Sequence, residues 1–129
     1  MRAIDTNVLI RFLTNDDADQ AVAARRAIEQ GDIFIGTTVL LESEWVLRSA
    51  YGFGPAEIAG GLRGLAGLPG VTIEAPGSLA RALGWMEAGM DFADALHLAG
   101  ADGCTAFLSF DGKLAKAAAG CETIAVERP

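Results

Sequence analysis

The chain has 129 residues, 51% of them hydrophobic, and a net charge of −7; that length suits one compact domain, 1–129, able to fold without covalent staples. The acidic balance excludes a broad basic surface for nonspecific nucleic-acid binding, because phosphate neutralisation needs clustered Lys and Arg, so any such contact has to be local or metal-assisted. Apolar runs such as Ile33 to Ile35 and Ala95 to Ala101 fall far short of the roughly 20 residues that span a bilayer, and Cys104 and Cys121 form neither a CxxC pair nor a zinc set, so a cytoplasmic, membrane-free chain with two buried thiols is expected.

Arg2 to Asp5 reads as a first strand, followed by a short helix over Asn7 to Leu13 whose start is marked by Asp5, Thr6 and Asn7, all good capping types. Asn15 and Asp16 offer a second cap, and Ala21, Ala24 and Ile28 recur at helical spacing up to the stop at Gly31. Asp32 to Ile35 reads as a second strand, and a helix is expected from about Val39 to Tyr51. Pro55 suits the first position of another helix reaching about Leu65. Gly60, Gly61, Gly64 and Gly67 each cost that helix about 1 kcal/mol relative to alanine, so it should be loose or closely packed against a neighbour. Val71 to Glu74 makes a third strand, Ser78 caps a helix to Ala88, and Asp91 begins another that ends near Asp102. Thr105 to Phe110 is a fourth strand, Asp111 to Ala119 a last helix and Thr123 to Val126 a final strand. This alternation predicts an α/β fold, a three-layer sandwich with a central, mainly parallel sheet flanked by helices.

Acidic residues recur just past these strands or in the first turns of these helices, where an α/β sheet gathers its ligand-facing groups. Asp5, Asp91 and Asp111 each have a structural role as helix N-caps, and Asp91 with Asp94 resembles a capping box at the positive end of a helix dipole. Two acids beside the apolar run of Phe92, Ala95, Leu96 and Ala99 nevertheless suggest a partly buried acidic edge. Glu42 lies inside its helix, where capping does not account for it, and its neighbours Leu41, Trp45 and Val46 are core types. A glutamate near a buried stripe needs a cation or a hydrogen-bond partner. Glu44 points elsewhere and is expected to be solvated.

If Asp5, Glu42, Asp94 and Asp111 converge, they repel one another and raise at least one pKa unless a cation enters. Hard oxygen ligands suit Mg²⁺, with Mn²⁺ as a substitute; such an ion keeps several waters and leaves room for a phosphate oxygen. It lowers the pKa of a bound water that attacks in line, which makes metal-assisted phosphodiester hydrolysis the expected reaction class. His97 is the sole histidine, so two imidazoles cannot act as the acid and base of a metal-free ribonuclease; within Ala-Leu-His-Leu-Ala it is expected to pack. Ser43, Ser49, Ser78 and Ser109 lack a GxSxG context, and no glycine-rich phosphate loop appears.

The ordered set Ile-Asp5-Thr6-Asn7-Val-Leu, Glu42 before Trp45-Val-Leu-Arg-Ser-Ala-Tyr-Gly, Asp91-Phe-Ala-Asp94-Ala-Leu-His and Ser109-Phe-Asp111 resembles the PIN-domain ribonucleases, and more narrowly the VapC toxins of type II toxin-antitoxin pairs. The resemblance covers nearly the full length. It implies Asp5, Glu42 and Asp94 as metal ligands and catalytic acids, Asp111 as a fourth and more distant one, and hydrogen-bonding support from Thr6, Asn7 and Ser109, with Asp91 outside the ligand set. It also implies endoribonuclease activity on tRNA or ribosomal RNA, a homodimer, and inhibition by a VapB-like antitoxin. The glycine-rich helix from Pro55 falls where such proteins dimerise or receive the antitoxin, and Arg11, Arg48, Lys113 and Lys116 are candidate RNA-backbone contacts.

Two other readings use the same residues. In one, a noncatalytic PIN-like module docks a basic partner on its acids. In the other, a haloacid-dehalogenase-like phosphatase uses Asp5 as nucleophile, which Asn7 weakens by standing where that pattern wants a second aspartate.

Overall fold

The computed structural model describes residues 1–129, and the chain folds as two compact units, Met1–Pro76 and Gly77–Pro129. In the first unit, β1 (Arg2–Ala3), β2 (Ile33–Ile35) and β3 (Val71–Ile73) form a parallel sheet in the order β1-β2-β3. Arg2 pairs with Ile33 and Ala3 with Phe34, while Ile33, Phe34 and Ile35 pair with Val71, Thr72 and Ile73. The β1–β2 crossover carries α1 (Thr6–Thr14) and α2 (Ala18–Glu29), and the β2–β3 crossover carries α3 (Thr37–Ser49) and α4 (Pro55–Ala66). Parallel strands need such long connections, which return a helix onto the sheet.

The first crossover turns on local capping. Asp5 Oδ1 accepts the Val8 N–H at 3.1 Å and opens α1. Asn15 then closes α1 in the left-handed region at φ 57°, and Asp17 opens α2 by accepting the Gln20 N–H at 3.0 Å. Asn15 is therefore a C-cap where a second N-cap was expected; a short side chain that tolerates positive φ suits either end. Gly31 and Gly70, at φ 78° and 80°, bring the two strand starts together so closely that a Cβ on Gly70 would lie 2.8 Å from Gly31 Cα. The Ile33 N–H donates to the Gly70 carbonyl at 2.8 Å across this approach.

The core of the first unit gathers Leu9, Ile10, Ile28, Ile33, Ile35, Leu40, Leu47, Ile58, Leu62 and Leu65, each at most 2% exposed. Burying a side chain of this kind contributes roughly 1.5–3 kcal/mol. On α3 the buried stripe is Leu40, Ser43, Glu44 and Leu47, and Trp45 stands 58% exposed. The stripe is thus rotated from the one expected through Leu41, Trp45 and Val46. Glu44, expected in solvent, is 3% exposed and ion-paired to Arg48 one turn later at 2.9 Å, which meets the requirement that a buried carboxylate be matched.

In the second unit, α5 (Pro76–Glu87), already helical at Pro76, leads to α6 (Phe92–Gly100), while β4 (Ala106–Leu108) and β5 (Ala125–Glu127) pair in parallel around α7 (Gly112–Ala118). Ser78 lies within α5 and is not its cap. Buried residues include Leu79, Leu83, Met86, Phe92, Leu96, Leu98 and Leu114. Both cysteines are free, and Cys104 is exposed where a buried thiol was expected. No helix is long and apolar enough to cross a membrane. The α/β class and parallel pairing agree with the sequence reading, with the strands distributed over two sheets.

Candidate active site

Asp5 stands at the end of β1 as the α1 cap, and Glu42 projects from the second turn of α3, a helix that packs on α1. Together with Thr6, Asn7, Thr38 and Val46 they line one cavity of about 470 Å³. The Thr6 hydroxyl, 9% exposed, donates to Glu42 Oε1, so a buried residue of α1 orients a carboxylate from α3. One oxygen of each acid is engaged in this way. Asp5 Oδ2 and Glu42 Oε2 receive no donor from the chain.

In the second unit, Asp91 caps α6 by accepting the Asp94 N–H at 3.2 Å, and Asp111 caps α7 by accepting the Lys113 N–H at 2.9 Å and the Leu114 N–H at 3.3 Å. The Ser109 hydroxyl accepts the Asp111 N–H at 3.0 Å. Desolvation lifts the Asp94 carboxyl above its ordinary range, the negative fields of Asp91 and Asp111 add to the rise, and His97 partly opposes it. His97 is exposed and near enough to act on Asp94, whereas packing was expected; the buried face of α6 runs through Phe92, Ala95, Leu96 and Ala99 and leaves it outside.

The structure therefore brings Asp5 and Glu42 to one cleft of the first unit and sets Asp94 and Asp111 in one electrostatic neighbourhood of the second. Nowhere do three or more Asp, Glu, His or Cys side chains assemble as a group that could hold a metal ion. Each of the two pairs thus lies within one unit. The donor chemistry still fits a hard divalent cation, because Mg²⁺ is commonly held by one or two carboxylates with water and substrate phosphate completing the shell. Asp5 and Glu42, each with an unengaged oxygen on the same cleft, supply such a pair. A carboxyl raised by desolvation and then by like charges, as Asp94 is, also answers to a cation nearby.

Arg11, one of four candidate RNA-backbone contacts in the sequence, stands beside this cleft. Asp5 and Asn7 also line a second cavity of about 320 Å³, whose wall includes Arg11 and Gln20. Asn7 and Arg11 stand at i, i+4 on the helix that Asp5 caps, which places them on one face.

The family model described as the PIN domain matches residues 3–120, a span that runs through both units. The chain belongs to the PIN-domain family. No curated relative matches it. The PIN domain is a nuclease fold, often a metal-dependent ribonuclease, and its usual requirement for divalent metal accords with the carboxylate chemistry of the Asp5–Glu42 cleft.

Proposed function

We propose that this PIN-domain protein is an Mg²⁺-dependent endoribonuclease, the toxin of a type II toxin-antitoxin pair. The observation that carries the reading is the cleft of a PIN-domain chain in which Asp5 and Glu42, from separate elements, present hard oxygens beside Thr6 and Asn7. Asp5, Glu42, Asp94 and Asp111 are the proposed metal ligands and catalytic acids. When bound, the cation would supply Lewis acidity toward a phosphodiester oxygen and a more acidic water at neutral pH. Thr6 would hold Glu42 in orientation, Asn7 would offer an amide to the strand, and the Ser109 hydroxyl would fix the turn that presents Asp111.

The reading extends to RNA of the tRNA or ribosomal class as substrate, a single working domain over 1–129, a homodimer in the cytoplasm, and a VapB-like antitoxin as inhibitor. Gly60 and Gly64, four apart on α4 with open space above each, support the idea that a backbone or helix can lie close to that face. Bulky residues at both that left dimerisation and antitoxin binding unchanged would remove that part of it.

Hydrolysis by water leaves ends that differ from those left by attack of the 2′-hydroxyl. Incubating the purified chain with tRNA and ribosomal RNA in Mg²⁺ should give fragments free of 2′,3′-cyclic phosphate. Cyclic-phosphate ends would refute the proposed chemistry. A second reading, the noncatalytic module that docks a basic partner, is favoured by the lack of any three-member metal-binding group; intact RNA after exhaustive incubation would support it.

A further inference from the structure

We propose that Arg11 binds a backbone phosphate of the RNA strand where that strand leaves the Asp5–Glu42 cleft, an inference that rests on the ribonuclease reading above. The second cavity shares Asp5 and Asn7 with the acidic cleft, so the two are contiguous along one side of α1. Arg11 is the one cation among the side chains that line either cavity. In a chain of net charge −7, a polyanion crossing this surface meets few such points.

The guanidinium is held before any ligand arrives. Its Nε donates to Gln20 Oε1 at 2.7 Å, and its Nη1 donates to Asp16 Oδ1 at 2.7 Å and to the Tyr51 hydroxyl at 3.3 Å. Tyr51 in turn donates to Asp16 Oδ2, and the Thr14 hydroxyl donates to Asp16 Oδ1 at 3.1 Å, so the anchor is itself anchored. These bonds use the Nε hydrogen and both hydrogens on Nη1. A guanidinium has five donors in a planar fork, which leaves the two on Nη2 uncommitted.

The two Nη2 hydrogens diverge, so each can donate singly to a phosphate oxygen, and a side chain already fixed loses little rotamer freedom on binding. Asp16 offsets part of the charge, so the contact sets strand register more than bulk affinity. Val8, Ala23 and Ala24 give the same cavity an apolar lining suited to a ribose face, and Asn7 stands one helical turn from Arg11 with an amide for a second phosphate or sugar contact.

The decisive quantity is the salt dependence of binding, which counts neutralised phosphates and is insensitive to lost packing. Fluorescence anisotropy with a short fluorescein-labelled single-stranded oligoribonucleotide, in Ca²⁺ so that the strand stays intact, gives the slope of log Kd against log salt concentration. Arg11→Gln should lower the magnitude of that slope by about 0.7, the value of one single-strand phosphate contact. Asp16→Asn, which weakens the anchor but keeps the guanidinium charge, should retain the wild-type slope. A slope unchanged in Arg11→Gln while the oligonucleotide still binds and is still cleaved in Mg²⁺ overturns this subsite and leaves the ribonuclease reading intact. Failure of the wild-type chain to bind or cleave any RNA overturns the ribonuclease reading itself. If Arg11→Gln does not fold, a single neutral methylphosphonate linkage walked along the oligonucleotide is read against Arg11→Met, which keeps the aliphatic stem and loses the charge: one linkage should weaken wild-type binding and have a much smaller effect on Arg11→Met, and equal effects on both chains contradict the assignment.

Discussion

Asp94 is the residue whose environment is least comfortable. Desolvation comes first among the causes, followed by the fields of Asp91 and Asp111, and together they hold its carboxyl above the ordinary value of 3.8. A carboxyl raised in the folded state binds its proton more tightly there than in the unfolded chain, so its stabilising contribution is present at low pH and is lost as pH rises through the folded pKa. Asp94→Asn removes that loss. Thermal melts should therefore give the variant a higher Tm than the wild type at neutral pH, with the gap closing through the mildly acidic range; a lower Tm at neutral pH would contradict the electrostatic picture. Such a gain in stability with a loss of function is the signature of an active-site acid. The caps were legible in the sequence because Asp at Asp5, Asp91 and Asp111 bonds its own backbone, a purely local matter. The Thr6–Glu42 bond was not legible as a contact, since it joins residues on helices whose packing only the tertiary fold decides.

At the scale of elements, helix existence and type followed from spacing and punctuation, while facing did not. On α3, apolar residues occur on more than one side, so periodicity alone placed the stripe through Trp45 when burial runs through Leu40, Ser43, Glu44 and Leu47. The same ambiguity misplaced Glu44, whose burial depends on an Arg48 partner one turn away that a helical wheel counts as polar. The glycines separate into two kinds with opposite expected responses. Gly64 lies on the exposed face of the α4 interior with open space where a Cβ would go, so Gly64→Ala should stabilise by about 1 kcal/mol in urea melts of the isolated chain. Gly70 sits at φ 80° against the Gly31 backbone, and Gly70→Ala should cost at least about 1–3 kcal/mol by the same measurement. Equal effects of the two substitutions would mean that the β2–β3 approach is not the constraint it is taken to be.

Across the whole chain, alternating strands and helices were enough to specify an α/β fold with parallel pairing, and one family match runs through both compact units. What escaped the sequence is quantitative: short strands of two and three residues carry little pairing information, so their division between two sheets had no local signature. Asp5, Asp94 and Asp111 were nameable because each stands at a strand end or in the first turn of a helix, and Glu42 because capping does not account for it, but convergence is a property of tertiary structure. The account depends on the carboxylates acting through a divalent cation. Its most direct test is cleavage of a tRNA and ribosomal RNA pool by the intact chain, with Mg²⁺, with excess EDTA, and with Asp5→Asn and Asp94→Asn variants whose fold is verified by circular dichroism. The account predicts cutting in Mg²⁺ that EDTA abolishes, that added Mg²⁺ restores, and that either substitution reduces by at least about a hundredfold, on the scale of losing an electrostatic catalytic group. Cutting that persists undiminished in EDTA and in both variants would contradict it.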